Sequence, residues 1–429
     1  MPPEQTSAAP KKILFLTPQF PYPPHQGTTI RNYNLIAGLA QRHEVHLLSF
    51  GDPAKCHGTP LDRLCCSVEV VAPPQHTVTK RLRGLLLSRL PDMAQRLPSP
   101  QFESKLNALL DRERPDVVEV EGIELAQYLF QLAGRRAGSG DPLLVFDDHN
   151  AEYVLQQRAF ETDFRRTSPF GKAQVRRWIG AAYSFVQWKR LESYERRACQ
   201  AADRVVAVSE TDAQVLRDLV PAIEPVVVPN GVDMELHTGP VPPLPTASGP
   251  GEQDLVFTGK MDFRPNVDAV LWFAQEVLPL IQRKAPEVRF WVVGMNPHSR
   301  LATLADDPSV ELTGWVEHVR PFIAGAAIYV VPLRIGGGTR LKILQAMAMG
   351  EAIVSTGLGC EGFDVVPGQE LVIADTPDEF ASAVLELLHD PDRRRRLGSA
   401  ARNFAGSKYD WQIIVPQLEK VYEGKTRVA

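Results

Sequence analysis

From Lys12 onward the chain alternates short, continuous apolar runs with stretches whose apolar residues recur every three or four positions. The runs at 12–17, 45–50, 68–72, 116–121, 143–147, 204–208 and 225–228 predict seven strands. Those at 255–258, 289–293, 310–312, 328–331, 352–355 and 371–374 predict six more. Most are apolar at successive positions rather than at every second one. That pattern suits strands covered on both faces, as in the centre of a parallel sheet. Between them, Val267, Val270, Leu271, Val277, Leu278 and Ile281 keep helical spacing, as do Leu341, Leu344, Met347 and Ala348. Strand–helix alternation of this kind predicts an α/β architecture.

The two series are separated by 239–251, a run of proline, glycine and small residues that can sustain neither a ladder nor a long helix. It reads as an interdomain linker. The expected organisation is a Rossmann-like domain over 1–238, a linker over 239–253, a second Rossmann-like domain over 254–407, and a closing helix over 408–429. A length of 429 residues suits two domains of about 150–200 residues each. In doubly wound sheets ligands sit beyond the carboxyl ends of the strands, so two such sheets facing each other would share one cleft.

Composition narrows the class. Hydrophobic residues make up 44% and charged residues 23%, the profile of a soluble globular protein. The net charge of −4 gives no global positive field for nucleic acid. Five cysteines, two of them adjacent at Cys65 and Cys66, have neither zinc-site spacing nor the pattern of a disulfide framework, and read as reduced cytoplasmic thiols. Residues 1–10 lack the basic start and apolar run of a secretory signal. No apolar stretch approaches the roughly 20 residues that span a bilayer. A cytoplasmic location is expected. Two segments, 80–89 and 171–197 with Trp178, Phe185 and Trp188, are basic and apolar together. They read either as solvated helix faces or as surfaces lying on an anionic bilayer at the inner face of a membrane.

Candidate chemistry in the first half gathers at strand ends. The strand at 12–17 runs into a long, proline-rich loop that reaches Gly27, Thr28 and Thr29 just before a helical pattern. A single glycine in a long loop is not the GxGxxG turn of a dinucleotide site, so a dehydrogenase is disfavoured. Gly27 and Thr28 at a helix start can bring backbone amides close to an anion or a sugar. The strand at 143–147 ends in Asp147, Asp148, His149 and Asn150. His149 can bond a sugar hydroxyl or share in proton traffic. Asp147 and Asp148 are hard-cation ligands by type, but no third ligand is evident in the sequence and no metal is expected.

The second half carries the stronger signal. Its first strand ends in Gly259 and Lys260, with Arg264 following at a helix start, cations placed to neutralise a diphosphate. Further on, a strand meets Gly336, Gly337 and Gly338, then Thr339 as the expected helix cap, with Arg340 and Lys342 in the first turn and Gly350 closing the helix. Glycines, unpaired amides and two cations make a phosphate site. The order GxxxxGK[ST] is absent, so it is not a Walker loop.

With these motifs in this order, the chain resembles the family 4 retaining glycosyltransferases of the GT-B fold. The matching pieces include the Gly27 loop, His149-Asn150, Val208-Ser209-Glu210, Pro229-Asn230-Gly231-Val232-Asp233, Gly259-Lys260, Val293-Gly294, Leu312-Thr313-Gly314, Val331-Pro332 and Ala346-Met347-Ala348. Tyr409-Asp410-Trp411 resembles the start of the segment that crosses back onto the first domain in such enzymes. The family usually has two glutamates eight positions apart, and those positions here are Gly337 and Gln345. The resemblance implies transfer, with retention, from a nucleotide diphosphate sugar to a saccharide, lipid-linked or small-molecule acceptor. It implies His149 and Lys260 as catalytic residues and Gly27, Thr28, Arg264, Gly336, Gly337, Gly338, Thr339, Arg340 and Lys342 around the donor phosphates and sugar. Gly294, Val316 and Gln345 would meet the nucleoside. It implies no metal and no cofactor beyond the donor itself. A sugar-nucleotide epimerase of the same fold and a nonenzymatic nucleotide-sugar-binding homologue are the competing readings.

Overall fold

The computed structural model describes residues 9–75, 88–136, 138, 140–165, 173–244, 249–336 and 340–423. Among them, thirteen strands form two sheets in which every pair is parallel. The first sheet holds β1 (Lys12–Thr17), β2 (Glu44–Phe50), β3 (Ser67–Val71), β4 (Val117–Glu121), β5 (Leu143–Asp148), β6 (Arg204–Ala207) and β7 (Val226–Val227), in the order β3-β2-β1-β4-β5-β6-β7. The second holds β8 (Leu255–Thr258), β9 (Phe290–Val293), β10 (Val310–Gly314), β11 (Ile328–Val331), β12 (Ile353–Ser355) and β13 (Val372–Ile373), in the order β10-β9-β8-β11-β12-β13. All thirteen expected strands form, with ends shifted by a residue or two. Their continuous apolar runs are buried because helices cover both faces, as at Ile13 to Leu16 in β1 and throughout β8, β9 and β11.

In each sheet the chain runs outward in one direction and then in the other, so the order reverses beside the first strand. This doubly wound topology leaves a crevice at the carboxyl ends of β1 and β4, and another at those of β8 and β11. Six helices carry or brace the residues around these crevices. They are α1 (Gly27–Leu39), α2 (Glu152–Arg165), α3 (Ala173–Ala201), α4 (Arg264–Trp272), α5 (Leu341–Met349) and α6 (Trp411–Tyr422).

Contacts divide the chain into two compact units, one of 1–229 with 415–429, the other of 230–414. The division falls ahead of the proline-rich stretch at 239–253. Val232 explains why: it bridges to Asp410 and packs in the core of the second unit. The last two turns of α6 belong to the first unit. Val415 lies so close to Gly38 of α1 that a Cβ there would come within 2.5 Å of its Cγ2, so a glycine is needed for the helix to seat. Glu419 then meets Arg42 at 2.6 Å and His43 at 3.2 Å.

No helix among the described residues is long and apolar enough to cross a membrane. Of the two basic, apolar segments, 80–87 of the first and 171–172 of the second lie outside the described residues. In α3, Trp178 and Phe185 are exposed at 49% and 44%, while Trp188 and Phe185 pack around Phe160.

Candidate active site

In the first unit, the loop after β1, the turn after β4 and the segment after β5 meet at the crevice and enclose a cavity of about 280 Å³. Its lining brings Thr28 of α1 together with His149 and Asn150 after β5. Gln19, Gly122, Glu124 and Asp148 complete much of the wall, with Arg96 and Glu152 beside them. Gly27 opens α1, whose first turn is tied by Gln26 N donating to Thr29 Oγ1 at 3.0 Å.

Behind His149 lies a buried ionic layer whose charged members, apart from Asp147, none of the sequence motifs includes. His149 Nε2 bonds the carboxylate of Glu121, which is fully buried. Burial pulls the imidazole pKa down, but Glu121, its hydrogen bond and Asp147 outweigh that and leave it raised. Asp147 accepts from Arg31 Nε at 3.0 Å and Nη2 at 2.6 Å, and Arg31 Nη1 donates to the Pro229 carbonyl at 3.0 Å. Glu119, two residues before Glu121 and on the same face of β4, is buried with Tyr422 of α6 beside it. Burial, then Glu121 and Asp147, hold the Glu119 carboxyl well above its usual range. The signal for this layer was present. Glutamates at alternate positions in Val117-Val118-Glu119-Val120-Glu121 mark one charged face on a strand that is otherwise apolar.

These neighbours correct one expectation. Asp147 does have further ligand-type groups beside it, since Glu121, Asp147 and His149 present atoms within 4.8 Å of one another. Arg31 already holds Asp147, so the cationic place beside that carboxylate is taken by a guanidinium. Asp148 turns instead to Glu195 of α3. Glu195 accepts from the amides of Glu152 at 3.0 Å and Tyr153 at 2.9 Å, satisfying two free N–H groups at the start of α2. Burial is the largest cause that lifts Glu195 to about 7 and Glu152 to about 8.

In the second unit, Gly259 and Lys260 leave β8 at the crevice and Gly294 leaves β9 beside them. A Cβ on Gly294 would fall 1.7 Å from the Gly259 carbonyl oxygen, and one on Gly259 would fall 2.8 Å from Lys342 Nζ. Only glycine fits either place. Lys342 Nζ donates to Asn266 Oδ1 at 2.9 Å and lies 3.9 Å above the Phe257 ring. Burial, then Arg340, lowers its pKa well below that of a free lysine. Asn266 Nδ2 in turn donates to the Lys260 carbonyl at 2.9 Å. The Lys260 side chain stays 45% exposed, with Asp262 at 3.7 Å. Arg264 opens α4 and is exposed.

Gly336 brings the loop after β11 against both helix starts, since a Cβ there would lie 3.3 Å from Arg340 and 3.4 Å from Pro265. Gly337, Gly338 and Thr339 lie outside the described residues. The helix begins at Leu341 with Arg340 in the cap position, one residue later than the expected Thr339 cap, and ends at Gly350 with φ 78°. Arg334 braces the loop through two-pronged bonds to Asp268 at 3.1–3.3 Å. Of the expected nucleoside residues, Gly294 follows β9, Val316 follows β10 and Gln345 is half-buried on α5, on three elements of one sheet edge. Trp315, 66% exposed beside Val316, belongs to none of the sequence motifs.

Residues 26–236 match the model for Glycosyltransferase Family 4, and residues 252–390 that for glycosyl transferases group 1. The chain is 25% identical over 47% of its length to a GDP-mannose-dependent monoacylated alpha-(1-6)-phosphatidylinositol monomannoside mannosyltransferase of Corynebacterium glutamicum, and spans 56% of that relative. Among solved structures it is similar to sucrose-phosphate synthase from Thermosynechococcus elongatus, with a TM-score of 0.69, 17% identity, and coverage of 96% of this chain and 98% of that one. It is also similar to Anabaena Alr3699/HepE in complex with UDP-glucose, with a TM-score of 0.63, 16% identity, and coverage of 96% and 99%. These likenesses identify the GT-B fold.

Proposed function

This chain belongs to the family 4, group 1 glycosyltransferases, and from that premise we propose that it moves a sugar, with retention, from a nucleotide diphosphate sugar to a hydroxyl-bearing acceptor. The observation that carries the reading is the cluster of Gly259, Lys260, Asn266, Lys342 and Arg340 where β8 meets the start of α5. Amides and fixed cations at such an edge stabilise charge that develops on a departing diphosphate, without a metal ion. Lys260, half-exposed at the rim, reaches the leaving phosphate. Lys342 and Asn266 hold the turn that carries it. Gly336, Gly337, Gly338 and Thr339 offer backbone to the phosphates and sugar, with Arg264 at the rim, and Gln345 takes the ribose where Gly294 and Val316 flank the base. The relative's dependence on GDP-mannose and the neighbour's bound UDP-glucose support a nucleotide-sugar donor.

The acceptor, rather than the donor phosphates, sits beside Thr28, in the cavity that this residue lines with His149, whose imidazole is held by Glu121 and orients the acceptor hydroxyl. The leaving phosphate takes the hydroxyl proton, so the reaction needs no pair of catalytic carboxylates. The protein acts in the cytoplasm, and the exposed Trp178 and Phe185 of α3 offer a place to rest on the inner face of a membrane. A nonenzymatic donor-binding role is the second reading, favoured by Gly337 and Gln345 standing where the family has glutamates.

Thermal melts with UDP, GDP and ADP sugars test the first step, since a ligand that binds only the folded state raises Tm. One nucleotide series should stabilise the chain, and donor turnover with an acceptor panel should follow. Stabilisation without turnover would leave the binding role standing, and no stabilisation by any of the three would remove both.

A further inference from the structure

The cavity in the first unit carries information about the acceptor's charge, given the reading of that cavity as the acceptor's seat. Asp148 is 1% exposed, lines the cavity, and has an Oδ2 with no hydrogen-bond partner among the described residues. Glu124 and Glu152 add two more carboxyl groups to the wall. Burial, followed by Glu124 and Glu195, pushes Glu152 to about 8, so near neutral pH it holds a proton and can donate as well as accept. Gln19, Thr28 and Asn150 supply neutral donors and acceptors. The positive groups of the wall are answered from within the protein. Arg96 lies 3.5 Å from Asp92 and 4.0 Å from Glu124, and the His149 imidazole is bonded to Glu121.

We propose that this cavity takes an uncharged, hydroxyl-rich acceptor, a neutral sugar ring, and rejects acceptors whose reacting end carries a phosphate or a carboxylate. A hydroxyl both donates and accepts, so it can donate a hydrogen bond to a carboxyl oxygen of Asp148 or Glu124 and accept one from Glu152 or Asn150. An anion in the same place would lose its water without gaining a cation of its own, and would face Glu124 as a like charge. Size agrees with a small occupant. A volume of about 280 Å³ lies at the lower edge of ligand pockets, which run from about 300 to 1,000 Å³.

Ligand-observed NMR on the full chain separates the charge classes, with methyl α-glucoside, glucose 6-phosphate and glucuronate as probes. The neutral glucoside should bind at least about tenfold more tightly than either anion. Its signal should vanish in Thr28→Trp, which fills the cavity, and Glu124→Lys should let the two anions bind. Should Thr28→Trp fail to fold by circular dichroism, Asn150→Trp serves as the blocking variant. Equal or tighter binding of either anion overturns the proposal. So does silence from the neutral sugar, or a neutral-sugar signal that survives both blocking variants. Nucleotide binding, read by thermal shift in the same samples, reports separately on the donor site. A chain that binds nucleotide but prefers the anions refutes this inference alone, and one that binds the neutral sugar but no nucleotide refutes the transferase reading alone.

Discussion

Lys342 Nζ donates to Asn266 Oδ1 at 2.9 Å, although 76 residues separate the two in sequence. Through the second bond from Asn266 Nδ2 to the Lys260 carbonyl, a lysine on α5 sets the backbone of the turn after β8. The same ammonium lies against the Phe257 ring and against Gly259, so one side chain joins the two loops expected to hold a diphosphate. Lys342→Met keeps the aliphatic packing and removes the charge and its donors. Nucleotide diphosphate affinity should fall at least tenfold, in line with about 1.5–3 kcal/mol for a charge-assisted hydrogen bond. Lys342→Arg should recover part of it. Calorimetric titration with UDP and GDP checks this, and an unchanged affinity in Lys342→Met would remove the lysine from the site.

Lys260 behaves differently, because its side chain is half in solvent and, among the described residues, its ion pair is with Asp262 at 3.7 Å. Lys260→Ala should therefore melt within a degree or two of the native chain. Its kcat should drop by about a hundredfold or more, the usual cost of removing one stabilising donor from a transition state. Near-normal turnover would show that charge on the leaving phosphate is met elsewhere.

Gln345 stands on α5 where the family places a glutamate. If it meets the ribose, Gln345→Glu should be tolerated, with donor affinity within a few-fold of the native value, because either side chain accepts from a hydroxyl. A collapse in affinity, read by the same titration, would place the ribose elsewhere.

The strands could be read in the sequence because both faces of each sheet are covered, which forces apolar runs such as Ile13 to Leu16 and Phe290 to Val293. The loops at their carboxyl ends could therefore be located from the sequence, and Thr28 and His149 line one cavity there. The buried layer beneath them was harder to see. Arg31 meets Asp147 across 116 residues, and pattern alone tells which face a side chain takes but not which partner it finds there. Tyr422 near Glu119 is a similar case, since a helix at the far end of the chain supplies a wall for β4. The proline-rich stretch marks where no element can form. Contacts divide instead at Pro229, because Val232 is already held by the second unit.

That buried pair makes a stability prediction. Arg31→Met leaves Asp147 charged, enclosed and without its guanidinium, and also strips the Pro229 carbonyl of a donor. The expected loss is about 3–5 kcal/mol in urea unfolding, the usual cost of breaking one side of a buried ion pair. Arg31→Met with Asp147→Leu should regain most of it, since an apolar pair of similar size removes the stranded charge. A double variant no more stable than the single one would mean that the cost lies in packing rather than charge.

The raised carboxyls under the cavity set the direction of the chain's pH response. Glu195 at about 7 and Glu152 at about 8 hold protons in the folded state at a pH where a free glutamate, near 4.3, has lost them. Between those limits the folded form binds more protons than the unfolded form, so stability must fall as pH rises, from above about 4.3 until both groups have ionised. Asp148, pushed up by burial and by Glu195, adds to the same trend. Urea midpoints should therefore decline steadily from pH 5.5 to 8.5. Glu152→Gln, which mimics the protonated acid and cannot ionise, should flatten the decline by the share of one proton. Parallel curves for the two proteins would mean that Glu152 titrates like a solvent-exposed glutamate, and would also take away the proton it offers to a bound hydroxyl.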